Sequence, residues 1–211
     1  MRMLMIAASL ALAGCATAVN DSLDRRGVDA RTLLIERVTE TREDAGRASG
    51  AFDKAGEALG AIAGLDGAAL ARQLDQARAA GQDAALAAQD FRLSVDTVKA
   101  AGERYFRKAE EELSLMKTSE ENFRAAEAAL NAAEDAHRDY VSAVDAAKLR
   151  LSPALSLYDA EVTALRRNAT SRIAAESRAA ERAATIAASK DASAGLVAAA
   201  AAADRYLGAL K

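Results

Sequence analysis

Three kinds of side chain in this sequence could do chemistry, and they are unequal. Cys15 is the only cysteine. A lone thiol cannot close a disulfide within the chain, but as a thiolate it is a nucleophile. His137 is the only histidine. A general base needs a partner and a pocket. His137 instead falls on an apolar helical stripe, three residues before Tyr140, and reads as a partly buried helix residue. No second histidine or cysteine accompanies it to build a transition-metal site. Carboxylates are plentiful, as at Glu110-Glu111-Glu112 and Glu120-Glu121. Paired acids cleave glycosides only inside a cleft that perturbs them. On a helix they read as a solvated face paired with arginine three or four residues away. No Ser-His-Asp arrangement and no glycine-rich phosphate loop is present.

The surroundings of Cys15 give its thiol a use. Met1-Arg2 supplies a positive start, and Met3 to Ala13 runs apolar, broken only by Ser9. That run is too short for a bilayer, which takes roughly 20 residues. Charge, length and small-residue ending are those of a secretory leader. The leader ends in Leu12-Ala13-Gly14-Cys15, which resembles the bacterial lipobox: a branched apolar residue, two small residues, and the cysteine that receives diacylglycerol before cleavage. The resemblance implies covalent diacylglycerol and N-acyl (palmitate-type) lipid on Cys15, and no other cofactor. A single acyl chain binds membranes marginally, whereas two or three anchor a protein durably. Ala16 follows the cysteine. By resemblance to the enterobacterial sorting rule, it directs the protein to the outer membrane, on its periplasmic face.

The remaining sequence must fold what the anchor holds. Of 211 residues, 51% are apolar, yet aromatics make up 4%, tryptophan is absent and proline occurs once. Ala-rich, Pro-poor and 28% charged, the composition is that of long helices. Runs of β-branched and aromatic residues that would build a sheet are missing. The net charge is −3 and becomes −4 once Arg2 leaves with the leader. Both signs are interspersed, with no basic block for nucleic acid and no acidic tail.

Residues 1–14 are thus read as the leader and 15–27 as a lipidated tether. A helix is expected from about 29 to 63, capped by Asp29, with the stripe Leu34, Val38, Thr41, Ala45, Ala48, Phe52, Ala55, Leu59, Ile62 in steps of three and four. Gly56 and Gly60 within it have the spacing that lets helices approach closely. Gly64-Leu65-Asp66-Gly67 is the first turn. A second helix, about 68–116, carries Leu70, Leu74, Ala77, Gly81, Ala84, Ala88, Phe91, Val95, Val98, Gly102, Tyr105, Ala109 and Met116. Thr118 and Glu121 match a capping box, opening a third helix over about 119–167 with Phe123, Ala126, Leu130, Ala133, His137, Tyr140, Val144, Ala147 and Leu151. Pro153 is expected to kink or briefly break it. From 168 to 211 the large apolar residues are scattered in alanine. A helical extension with poor packing is expected there.

Several stretches resemble one family of Gram-negative envelope proteins. They are Gly27-Val28-Asp29-Ala30-Arg31 through Leu34-Ile35-Glu36-Arg37-Val38, then Gly64 to Gly67 with Leu70, Tyr105-Phe106 with Glu110 to Leu113, Pro153-Ala154-Leu155, and Asp159 to Asn168. The family is known only as domain of unknown function twenty-nine fifty-nine. The likeness covers about residues 24–180. The chain departs from the family in lacking a tryptophan near Tyr105-Phe106 and in the Leu165-Arg166-Arg167-Asn168 stretch, and its alanine-rich tail is extra. The resemblance implies helical architecture and an envelope location, and no known activity.

The expected protein is therefore all-α: an elongated antiparallel three-helix bundle, residues 28–167, with a kinked last helix and an Ala-rich extension. It is expected to be a non-enzymatic, membrane-anchored lipoprotein of the bacterial envelope, with a helical protein or a second copy as partner and no nucleic acid or small-molecule substrate. The alternative is a periplasmic holdase or assembly factor, whose helices part to expose apolar strips to clients. An enzyme with carboxylates between helices ranks behind both.

Overall fold

The structure, a computed structural model, describes residues 27, 29–116 and 119–210. The leader, Leu12, Ala13, Gly14, Cys15 and most of the tether lie outside the described residues. Those described form helices and connecting turns, with no strand among them. The helices are α1 (Ala30–Gly60), α2 (Gly67–Leu115), α3 (Glu120–Arg166), the short α4 (Arg172–Glu176) and α5 (Ala179–Ala209).

Local chemistry sets the helix starts. The Asp29 carboxylate accepts from Thr32 N at 2.7 Å and caps α1, so one of the orphan amides of the first turn is satisfied. Asp66 caps α2. The cap of α3 is Ser119, which accepts from Asn122 N, one residue past the Thr118 of the expected capping box. The turn between α1 and α2 uses left-handed backbone at Gly64 (φ +75°) and Gly67 (φ +52°), where a side chain would be strained. Two hydrogen bonds tie this turn to the loop before α4: Gly67 N donates to Thr170 O at 3.1 Å, and Arg172 N donates to Asp66 Oδ1 at 3.2 Å.

α1, α2, α3 and α5 pack around one core, each against two neighbours: α1 on α2 and α5, α3 on α2 and α5. Cross-links fix the antiparallel order. Asp75 pairs with Arg166, Asp96 with Lys148 and Lys99 with Asp145 between α2 and α3. Arg42 pairs with Asp204, and Ser49 with Ser193, between α1 and α5. The body is thus a four-helix, up-down-up-down bundle.

The all-α expectation holds, and every member of the α1 stripe from Leu34 to Ile62 is buried. Three expectations differ from the structure. The segment after 168 is not a loosely packed extension to a three-helix core. It turns through α4 and returns as α5, burying Ala192, Leu196, Ala199, Ala202, Ala203, Tyr206 and Leu210. Small residues on both sides make this possible. A Cβ placed on Gly56 or Gly60 would sit 3.7–3.9 Å from Ser189 and Ile186, so α5 lies close against α1, and contact area accumulates without large side chains.

Second, α3 continues through Pro153 without the brief break that was one expected outcome. Pro153 and Leu149, whose carbonyl loses its amide partner, both face solvent, where water replaces the missing bond. Third, the stripe outruns the core. α2 and α3 hold 49 and 47 residues against 31 each in α1 and α5. At 1.5 Å per residue, that is about 74 Å against about 47 Å. The surplus forms a two-helix arm. In α2 nothing is buried past Arg104, and in α3 only Ala133 is buried before Tyr140. Met116, expected on the core stripe, is 45% exposed.

Candidate functional site

The attachment residues read from the sequence, Cys15 with Leu12, Ala13 and Gly14, lie outside the described residues. The chain joins the body at Ala30, and Arg31 Nε donates to Leu210 O at 2.9 Å. The start of α1 and the end of α5 therefore meet at one end of the bundle. The arm projects from that same end, because α2 runs towards it and α3 away from it. A groove of about 360 Å³ lies in the angle between arm and body. Its floor is apolar, made by Ala109, Leu113, Leu130 and Ala133, and Arg31 and Glu112 stand among its lining residues.

His137 lies where arm and body merge. Its ring is 5.2 Å from that of Tyr206 and 5.1 Å from that of Phe106, while Tyr206 stacks on Tyr140 at 5.4 Å. Gly102 admits the imidazole: a Cβ there would lie 2.5 Å from His137 Cε1. On its outer side the ring borders a groove of about 500 Å³ that includes Lys99, Glu103, Glu134 and Arg138. Burial, and then the Lys99 charge, lower the His137 pKa below its ordinary value, since both oppose a second positive charge. His137 Nδ1 and the Tyr206 hydroxyl are buried and find no hydrogen-bond partner among the described residues. Burial also pushes the Tyr140 and Tyr206 phenols well above the usual tyrosine range. The sequence placed His137 beside Tyr140. It gave no sign of Tyr206, which reaches the cluster only because α5 is a wall of the body.

Two further polar knots hold the other end. Tyr158 is buried in α3, and its hydroxyl donates to Ala77 O at 2.8 Å and Ala55 O at 3.1 Å, joining three helices. Its ring fills the place a side chain at Gly81 would take, 2.5 Å from a Cβ there. Glu161, 2% exposed, accepts from Arg178 Nε at 3.1 Å, and this hydrogen bond raises the Arg178 pKa. The pair fastens the start of α5 to α3. The acids singled out in the sequence behave as a solvated face: Glu110, Glu111, Glu112, Glu120 and Glu121 are not buried, and Glu120 pairs with Arg124 one turn on. Among the described residues no group of three His, Cys, Asp or Glu side chains is arranged to hold a metal ion. None of the described helices is long and apolar enough to cross a membrane.

A family described as "Protein of unknown function (DUF2959)" matches residues 20–199. The chain belongs to that family. The match continues past residue 180 to residue 199, so the family pattern includes most of α5. No curated protein and no solved structure gives a significant match.

Proposed function

We propose that this member of the family is a lipoprotein of the bacterial cell envelope, attached through diacylglycerol and N-acyl lipid on Cys15 to the periplasmic face of the outer membrane. Its folded part then serves as a non-enzymatic structural or interaction element. The observation that carries the reading is Leu12-Ala13-Gly14-Cys15, set behind a charged start and an apolar run too short to span a bilayer. The geometry around Ala30 is compatible with it, because a tether entering there leaves the body from one end rather than from its side. The aromatic cluster around His137 supports a structural role, since its rings pack against one another.

The test is Cys15→Ser with membrane fractionation and mass measurement of the N-terminal peptide. The wild-type peptide is expected to carry the lipid mass and to fractionate with membranes, and the variant to do neither. A Cys15→Ser protein still lipidated, or still firmly membrane-bound, overturns the reading.

A second reading, a holdase or assembly factor, draws on the arm, whose apolar seam of Ala109, Leu113, Ala126 and Leu130 is only half covered. It requires the purified full chain to suppress aggregation of an unfolding client. No suppression at several-fold molar excess removes it.

A further inference from the structure

The arm ends in the most exposed apolar residues near the chain's point of attachment. Leu115 is 77% exposed and Met116 45% exposed, side by side at the end of α2. Most other exposed large apolar residues are single outward-facing side chains along the body, such as Leu86 and Leu149, or lie at the opposite end, as Ile173 does. Isolated surface leucines are ordinary. A leucine–methionine pair at the tip of a projecting hairpin is differently placed, because the tip is what a flat surface on that side would meet first.

We propose that the tip of the α2–α3 arm rests on the bilayer to which the chain is attached, with Leu115 and Met116 entering its zwitterionic interface. The proposal rests on the lipid-anchor reading and adds a second contact to it. Its warrant is where the chain joins the body and how far the arm extends. Burial along α2 ends at Arg104, and the groove that includes Arg31 runs out along α2 from Tyr105 to Met116. Leu115 lies eleven residues beyond Arg104, about 16 Å further along the axis. The tether between Cys15 and Ala30 spans about 50 Å when extended, several times the arm's overhang. The tether therefore permits contact, and the arm sets how closely the body approaches.

The charge at the tip narrows the lipid. Glu110, Glu111, Glu112, Glu120 and Glu121 flank it, against Arg107, Lys108, Lys117 and Arg124. This slight acidic excess disfavours a strongly anionic surface. Two apolar side chains bind a membrane only fleetingly on their own. Attachment nearby raises their effective concentration at the surface, so that a weak contact becomes persistent.

The full chain carrying Leu115→Cys, labelled with an environment-sensitive thiol fluorophore that reaches position 115 alone where Cys15 is lipidated, tests this in phosphatidylcholine–phosphatidylethanolamine vesicles containing a lipid-borne quencher. Ile173→Cys, at the far end of the body, is the matched control. Both positions are exposed, so neither substitution burdens the fold. The label at 115 is expected to shift to the blue and to lose fluorescence to the quencher, while the label at 173 does neither. Mass measurement of the N-terminal peptide from the same preparation reports the anchor separately. Lipidated, vesicle-bound protein with an unquenched label at 115 overturns the tip contact and leaves the anchor standing. Protein found without lipid on Cys15 overturns the anchor reading, and with it the tip contact that depends on attachment nearby. A blue shift without quenching means that protein, such as a second copy, covers the tip, and this also overturns the proposal.

Discussion

The body and the arm are built from the same two helices and differ in what surrounds them. Along the body, α2 and α3 are flanked by α1 and α5, and side chains such as Phe52, Phe91, Leu151 and Leu196 are at most 1% exposed. Beyond Arg104 the spacing of apolar residues continues, yet the same kind of stripe is half open because α1 has not begun and α5 has ended. Burial is therefore decided by the number of helices present at each level, and the pattern within one helix reports only which face would be buried if partners were there. Free-energy contributions should divide the same way, since burying a large apolar side chain contributes about 1.5–3 kcal/mol and an exposed one contributes almost none.

The largest expected effect comes from removing α5. A chain ending at Arg178 bares the faces of α1 and α3 that α5 covers. It should lose cooperative thermal unfolding altogether, because the loss approaches the roughly 5–15 kcal/mol that holds a typical domain together. Circular dichroism melting measures this, and a melting curve like that of the full chain would return α5 to the status of an extension.

Next come single side chains on either side of the divide. Phe52→Ala in the body should cost about 3–5 kcal/mol, and Leu115→Ala at the tip should fall within about 0.5 kcal/mol of zero, both read by denaturant titration. Comparable costs would mean the arm is packed in solution.

Glycines inside the body separate close contact from mere helix weakness. Gly81→Ala drives a Cβ into the Tyr158 ring and should destabilise by about 1–3 kcal/mol, with the Tyr158 bonds to Ala55 and Ala77 strained as well. Gly50→Ala meets nothing within 4 Å and should stabilise by up to about 1 kcal/mol through helix propensity alone. Opposite signs are expected in the same assay.

The smallest effect is a pH dependence at the junction of body and arm. His137 takes up its proton less readily in the folded chain than in the unfolded one. Below the ordinary histidine value of about 6.5 the unfolded state therefore binds more protons. Stability from this group is full above that pH and falls as pH drops through it. His137→Gln should remove that part of the acid sensitivity. An unchanged stability profile between neutral and mildly acidic pH would show that the ring is better solvated than its contacts with Phe106 and Tyr206 imply.

How much of this was legible in the sequence follows from residue size. α1 was readable in full, because leucine, valine and phenylalanine recur at its buried positions and Asp29 marks its start. The turn at Gly64 to Gly67 was readable because left-handed backbone selects glycine. α5 was not, since alanine and serine occupy its buried and exposed faces alike and periodicity has nothing to contrast. Its packing depends on Gly56 and Gly60 one helix away, whose spacing hinted at close approach without naming the partner. Met116 was misplaced for the complementary reason: spacing cannot show where the neighbouring helices stop. Pro153 does not break α3, because its effect depends on which side of the helix it occupies. Of the candidate site, Cys15 and its lipobox were legible as a motif, and His137 with Tyr140 as neighbours on one helix. Tyr206 became visible only once α5 was in place.

Hydrogen exchange resolved along the chain tests the division into body and arm most directly. Amides from Thr185 to Tyr206 in α5 should exchange only through global unfolding, as slowly as those of α1 around Phe52, while amides of α2 and α3 from Phe106 to Leu130 exchange orders of magnitude faster through local opening. If α5 instead exchanges as fast as the arm, it is not a wall of the body, and the four-helix account is contradicted.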